Sequence, residues 1–233
     1  MKFRSSLLLF LSLFMASWSF ADDATTPVVS VVNVKTTNPA AYRAYLMENP
    51  EIFEALGAES GGTCTTVSGH RYPGQAFAFS FYNDASSAFK AATKFANMPR
   101  SSDLEAISSV VSAEFYAVIK PFTLSPGFER RYQIVVNDAA AYVAAATKLE
   151  KAMQDNGHKV EVGIFQPLGN GHQKANLLDV RIFAVEPEVA GMMVNDFLQR
   201  KAWALAPYGE MLATIESLEL DTFEDCRQVY SAN

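Results

Sequence analysis

Two arginines lie among the residues best suited to bind a small organic molecule. Asp179 and Arg181 occupy alternate positions of one apolar segment, and Arg131 and Gln133 do so in an earlier one. Alternation with a period of two is typical of a β-strand, so each pair is expected to share one face of its strand. A guanidinium group can bind a carboxylate through two hydrogen bonds or polarise an oxygen atom. The alternative is structural: Asp179 and Arg181 neutralise each other, or their face is partly open to water.

The histidines indicate acid–base chemistry less clearly. His70 and His172 each follow a glycine within a predicted hairpin turn, and imidazole titrates near neutral pH. His172 is therefore a candidate acid–base residue, although an exposed loop position is the favoured interpretation for both. His158 follows Gly157 at a predicted helix end, where a positive charge is favourable.

Trp203 and Phe95 lie on predicted helices of the two halves of the chain. Aromatic residues at helical spacing usually belong to a core. The functional alternative is that Trp203 forms one wall of a ligand pocket, with Asn195 and Tyr208 nearby.

The sequence contains none of the common catalytic motifs. It has no G-x-S-x-G, no P-loop, no H-E-x-x-H and no dinucleotide-binding fingerprint. Its two cysteines cannot complete a four-ligand zinc site, and no clustered histidines supply the remaining ligands. The sequence therefore indicates no metal and no cofactor, and it assigns no catalytic residue.

The N-terminus predicts export. Residues 1–21 combine Lys2 and Arg4, an apolar run and the small residues Ser19 and Ala21, which is typical of a secretory signal peptide. A retained N-terminal anchor is the alternative. Cleavage would take the net charge from −6 to about −8, which disfavours nucleic acid and anionic membranes as partners. The expected product is periplasmic or secreted, with Cys64 and Cys226 in a compartment that favours disulfides.

The second half of the chain restates the first in the same order. Asn38-Pro39-Ala40-Ala41-Tyr42 returns as Asn137-Asp138-Ala139-Ala140-Ala141-Tyr142, and Ser68-Gly69-His70 returns as Asn170-Gly171-His172. An offset near 100 residues is typical of a duplicated domain, because solenoid repeats are about 20–50 residues long.

Each half has the predicted order β-α-β-β-α-β. Proline is expected to divide several helices: Pro50 in the first, Pro99 in the segment Ala85–Val111, and Pro207 in the last. This element order is that of the ferredoxin-like unit, whose antiparallel strands lie in the order 4-1-3-2. We place the first unit at residues 28–122 and the second at 128–226. The fold class is α+β, with one bare sheet face per unit.

On this element order and duplication, residues 28–226 resemble a tandem member of the dimeric α/β barrel superfamily, which includes antibiotic-biosynthesis-monooxygenase-like proteins. The resemblance implies that two units pack sheet to sheet within one chain, which makes a monomer the expected state. It also implies that strand two of one unit lies beside strand four of the other, so that Cys64 and Cys226 form a disulfide.

The same resemblance implies a lumen between the two sheets. Arg131, Gln133, Asp179 and Arg181 would line it from the second unit, and Ala78, Ser80 and Tyr82 from the first. We expect a small organic molecule to bind there. The alternatives are an enzyme similar to the cofactor-independent monooxygenases or haem-handling members of the superfamily, and a protein-interaction module.

Overall fold

Eight antiparallel strands close into a barrel that carries seven helices, in a computed structural model that describes residues 25–123, 127–171 and 174–232. The strands are β1 (Val28–Thr36), β2 (Ser60–Ser68), β3 (Gln75–Tyr82), β4 (Ser108–Lys120), β5 (Phe128–Val136), β6 (Val160–Gly169), β7 (Leu177–Ala184) and β8 (Ile215–Ser231). The helices are α1 (Pro39–Glu48), α2 (Glu51–Ala55), α3 (Ala85–Asn97), α4 (Ser102–Ile107), α5 (Ala139–Asp155), α6 (Pro187–Leu198) and α7 (Ala202–Leu212). The segment 1–21, expected to be a signal peptide, lies outside the described residues.

The strand order around the barrel is β1-β3-β2-β8-β5-β7-β6-β4, after which β4 pairs with β1. Strands β4-β1-β3-β2 come from the first half of the chain and β8-β5-β7-β6 from the second, so each half has the expected order. The halves meet at two seams, β2 with β8 and β4 with β6. Because each of the described strands has two neighbours, none of them forms an unpaired sheet edge.

A disulfide crosses the first seam. Cys64 lies directly opposite Cys226 in the β2–β8 pairing, and the two sulfur atoms are bonded. The disulfide expected between these residues is therefore present. It links positions 162 residues apart in the sequence.

The first helix of each half begins at an equivalent cap. The Asn38 side chain accepts a hydrogen bond from the backbone of Ala41 at 3.0 Å, and Asp138 accepts one from Ala141 at the same distance. These caps satisfy backbone donors that have no partner within the helix. The repeated sequence thus encodes the same helix start twice.

Proline divides the helices of the first half as expected, but not the last helix. Pro50 separates α1 from α2, and Pro99 lies between α3 and α4, which ends at Ile107 before β4 begins. Pro207, in contrast, lies inside α7. The break falls earlier, where Arg200 has a φ of 55° and the preceding helix ends. Among the described residues, no helix has the length and apolarity needed to cross a membrane.

Candidate functional site

Arg131 and Arg181 lie in the barrel lumen, each paired with carboxylates. Arg131 donates to Asp179 from Nε at 2.8 Å and from a terminal nitrogen at 2.7 Å. Arg181 donates to Glu129 at 2.8 Å and to Glu224 at 3.1 Å. All five side chains are at least nine-tenths buried. The lumen therefore holds a buried network of two guanidinium groups and three carboxyl groups.

The network extends to further polar groups. Gln133 donates to Asp179 at 3.2 Å and accepts a hydrogen bond from Arg71 at 3.1 Å. Arg181 also lies over the ring of Phe77, 4.9 Å from its centroid. The charge of Asp179 is neutralised mainly by Arg131, and the charge of Arg181 mainly by Glu129 and Glu224. The structure therefore favours the structural interpretation of Asp179 and Arg181.

The charges of this network depend on burial. Burial and the charge of Glu224 raise the pKa of Glu129 to about 7, although Arg181 acts to lower it. Burial alone would lower the pKa of Arg131 and Arg181, but the neighbouring carboxylates raise it, so both remain charged. The lumen is thus close to neutral when Glu129 carries its proton.

The rest of the lumen is filled by aromatic rings. Phe122 stacks on Phe183 with ring centroids 3.9 Å apart and meets Phe81 and Phe165 edge to face. The cavity left between these rings and Arg181 has a volume of only about 30 Å³, far below the roughly 300 Å³ at which small-molecule sites begin. The lumen lacks room for an organic ligand.

The structure places Tyr82 on the opposite face of the sheet from the one expected. Phe77, Phe79 and Phe81 point into the lumen, whereas Ala78, Ser80 and Tyr82 point towards the helices. The expectation failed because both faces of β3 are free of charge, so alternation alone did not distinguish inside from outside. Tyr82 is separated from Arg131 and Arg181 by the sheet.

A much larger cavity lies on this outer face, between the sheet of the first half and its helices. Its volume is about 430 Å³, within the range of small-molecule sites. Its walls are mostly apolar and come from β1, β3, β4 and the first four helices; they include Val32, Val34, Leu46, Ile52, Phe53, Ala78, Ala92, Phe95, Met98, Leu104 and Phe115.

Residue size accounts for the cavity beneath the helices of the first half. The sheet face beneath the helices carries Ser30, Ala78 and Ser80 in the first half, but Arg130, Val180 and Ile182 at the equivalent places in the second. The uninterrupted helix α5 then packs Tyr142, Ala146, Leu149 and Met153 onto the larger side chains. Ala78 remains partly accessible although β3 is a central strand, because the void lies above it.

The cavity contains a few polar groups at two ends. Tyr42 is 3% exposed, and its hydroxyl has no hydrogen-bond partner within the described residues. Arg100 is the one charged side chain among the described lining residues. At the other end, Ser30 and Ser80 lie beside the phenol of Tyr82, whose pKa is raised by burial despite their hydrogen bonds.

Sequence reasoning missed this site. Ser30, Tyr42 and Arg100 were not singled out as ligand-binding residues, since none belongs to a motif, and Ser80 and Tyr82 were expected to face the lumen instead. The usable signal was the contrast between small residues in the first half and large ones in the second.

The remaining candidates lie apart from both cavities. Trp203 packs against Phe197 and His158, with ring centroids 5.6 and 5.5 Å away. It therefore belongs to the packed core of the second half. His158 is buried and bonds to Asp196 at 3.1 Å. His70 is exposed in its turn, and His172 lies outside the described residues.

One group of potential metal ligands occurs in the lumen. Cys64, Cys226, Glu129 and Glu224 place their ligand atoms within 4.8 Å of one another. The cysteines are joined to each other, and the carboxylates face Arg181. Neither the bonded sulfur atoms nor this positive charge suits a cation.

Comparisons with solved structures identify the fold. A proposed monooxygenase from Lactobacillus acidophilus NCFM superposes with a TM-score of 0.57 at 12% identity, covering 89% of this chain and 98% of that one. A haem-binding protein from Thermus thermophilus gives 0.51 at 11% identity, over 86% and 91%. A proposed chlorite dismutase gives 0.55 at 9% identity, over 87% and 95%.

This chain has the dimeric α/β barrel fold. No protein-family model matches its sequence, and no curated protein does so. The likeness to monooxygenases and haem-binding proteins therefore concerns the architecture of the dimeric α/β barrel and not its chemistry.

The large cavity offers none of the usual haem ligands of the histidine or cysteine type among its described residues. Protein ligands to haem iron are histidine, cysteine, tyrosinate or methionine paired with histidine. The large cavity is lined by Met98 but by no histidine or cysteine among the described residues. Burial raises the pKa of the Tyr42 phenol, so it stays protonated and is a poor iron ligand.

Proposed function

We propose that the protein binds a small, mostly apolar organic molecule in the cavity of its first half. The observation that carries the proposal is an apolar cavity of about 430 Å³ with a few polar groups, which is the usual form of a small-molecule site. This proposal keeps the ligand class expected from the sequence and changes its place. The site lies between sheet and helices because the lumen between the sheets is filled.

The same proposal includes the organisation of the chain. We regard residues 28–122 and 128–226 as tandem ferredoxin-like units that arose by duplication, and their shared strand order supports this. A monomer is expected because one chain closes both seams of the barrel. The disulfide supports an oxidising compartment, in line with a signal peptide at residues 1–21.

Titration with N-phenyl-1-naphthylamine, a neutral apolar dye that fluoresces when removed from water, tests the site. Ala78→Phe places a ring in the middle of the cavity and should abolish the enhanced fluorescence. Ser80→Leu is a second filling variant at a neighbouring position. Ala140→Leu is the matched control, because it adds an apolar side chain at an exposed position of α5.

Saturable dye binding by the native protein and the control, lost in both filling variants, would support the proposal. Equal binding by all four proteins would refute the site. Native mass spectrometry of the purified protein provides a second readout, since a retained molecule should be present in the native protein and absent from Ala78→Phe.

Cofactor-independent oxygenation is a second candidate function. Two buried phenols, Tyr42 and Tyr82, line the cavity, and burial raises the pKa of both. They would be neutral hydrogen-bond donors to an electron-rich substrate, and a protein proposed to be a monooxygenase shares the fold. Oxygen uptake with phenolic substrates that is lost in Ala78→Phe would support this function; its absence in the native protein would leave binding alone.

A further inference from the structure

We infer that the ligand is an organic acid whose carboxylate is bound by Arg100 and Tyr42 and whose apolar body extends along β1. This inference rests on the proposed function and specifies the class of ligand. It follows from the charge, the hydrogen bonding and the length of the cavity.

Arg100 is a cation with no anionic partner among the described residues. One terminal nitrogen of its guanidinium donates to the backbone oxygen of Ser108 at 3.2 Å and to its hydroxyl at 3.0 Å. No carboxylate of the described residues lies within ion-pair distance of Arg100, although the chain has 25 acidic residues. The contacts with Ser108 fix one terminal nitrogen of the Arg100 guanidinium. The other N–H donors of the guanidinium remain available to a ligand. A guanidinium held in this way matches the two oxygens of a carboxylate.

Tyr42 supplies a second donor at the same end of the cavity. Its phenol is buried and makes no hydrogen bond within the described part of the chain, and the positive charge of Arg100 acts on its pKa. The hydroxyl itself is open to the cavity, so it can donate to a group bound there. A carboxylate between Tyr42 and Arg100 would accept from both.

The sheet sets the length of the apolar part. Tyr42 packs at Val34, near one end of β1, and the Ser30–Ser80 pair lies four residues away along the strand. At about 3.3 Å per residue the separation is about 13 Å. Between these ends the floor is Val32 and Ala78, which favours an aromatic or alkyl body.

The experiment compares an acid with its neutral amide. Biphenyl-4-carboxylate and biphenyl-4-carboxamide have nearly the same shape, and each is used to displace N-phenyl-1-naphthylamine at pH 8. The native protein should bind the acid more tightly. In Arg100→Gln the affinity for the acid should fall about 10- to 100-fold, as for a lost hydrogen bond to a charged group, while the affinity for the amide and the dye is unchanged.

Two further variants separate recognition from damage to the fold. Arg100→Lys retains the charge but not the fork, so it should recover part of the affinity for the acid. Tyr42→Phe removes one donor and should weaken the acid more than the amide. Thermal melting of each variant verifies folding, and dye binding verifies that the cavity is intact.

The possible failures are distinguishable. Equal displacement by acid and amide, with normal dye binding, would overturn the inference and leave the proposed function standing. An acid preference that persists in both Arg100 variants would also overturn it. Dye binding that Ala78→Phe does not reduce would instead refute the cavity as the site.

Discussion

Glu129 should make the protein less stable as the pH rises from acid to slightly alkaline values. Its pKa is raised from 4.5 to about 7 by burial and by Glu224, against the effect of Arg181. The folded state therefore keeps this proton at pH values where the unfolded chain has lost it. Stability contributed by the protonated carboxyl is full below pH 4.5 and is lost as the pH rises through about 7.

The magnitude follows from the size of the pKa difference. At 1.36 kcal/mol for each pH unit, the cost of ionising Glu129 in the lumen is about 3 kcal/mol at pH 8. Glu129→Gln keeps the size and hydrogen-bonding capacity of the protonated side chain but cannot ionise. Arg181 would still have Glu224 at 3.1 Å, so the variant leaves no unpaired charge.

Urea unfolding at pH 5, 6, 7 and 8 measures the effect, with the disulfide intact in every protein. The native protein should lose up to about 3 kcal/mol more than Glu129→Gln between pH 5 and pH 8. Glu54→Gln is the control, because Glu54 is exposed on α2 and should leave the slope unchanged. Parallel curves for the native protein and Glu129→Gln would show that Glu129 does not titrate in this range.

Three other variants test how the barrel is held together. Arg181→Ala removes the ion-pair partner of Glu129 and leaves Glu224 only Arg131, 3.9 Å away, so it should destabilise the fold by about 3–5 kcal/mol in urea unfolding; a cost below about 1 kcal/mol would mean that water reaches the lumen. Replacing Cys64 and Cys226 together by alanine opens a loop of 162 residues, so the free energy of unfolding should fall by about 5 kcal/mol by loop entropy; an unchanged urea midpoint would contradict this. Gly62→Ala places a methyl group 2.2 Å from the backbone oxygen of Arg227 and should cost about 1–3 kcal/mol. Gly169→Ala is its control, because the added methyl group meets nothing within 4 Å. Equal melting temperatures for these two variants would show that β2 and β8 can move apart to accommodate the methyl group.

Much of the architecture could be predicted from local sequence. The caps at Asn38 and Asp138 and the division at Pro50 depend on a few neighbouring residues. The strand order follows from the β-α-β-β-α-β order and the handedness of its crossovers. The pairing of Cys64 with Cys226 was predicted from the resemblance to the dimeric α/β barrels, in which these two strands meet at a seam. The helix break predicted at Pro207 was wrong, because α7 continues through this proline and the chain turns at Arg200 instead.

The candidate site was harder to predict. Alternation correctly placed Arg131, Gln133, Asp179 and Arg181 on one face of their strands. It could not show that the charge of Arg181 is compensated, because Glu129 and Glu224 lie on other strands, β5 and β8. The proposed ligand-binding residue Tyr82 belongs to the opposite face and to another cavity.

Local sequence was enough to predict the order of elements in each half of the chain, where the first helix of each half begins, and which residues share a strand face. These properties depend on backbone geometry and on residues a few positions apart. Only the tertiary structure decided which face of β3 points inward and which half keeps a void. Which face of β3 points into the lumen depends on how the other strands close the barrel. The void depends on the sum of side-chain volumes from the strands and helices around it, where Ser30, Ala78 and Ser80 are too small to fill the space beneath the helices.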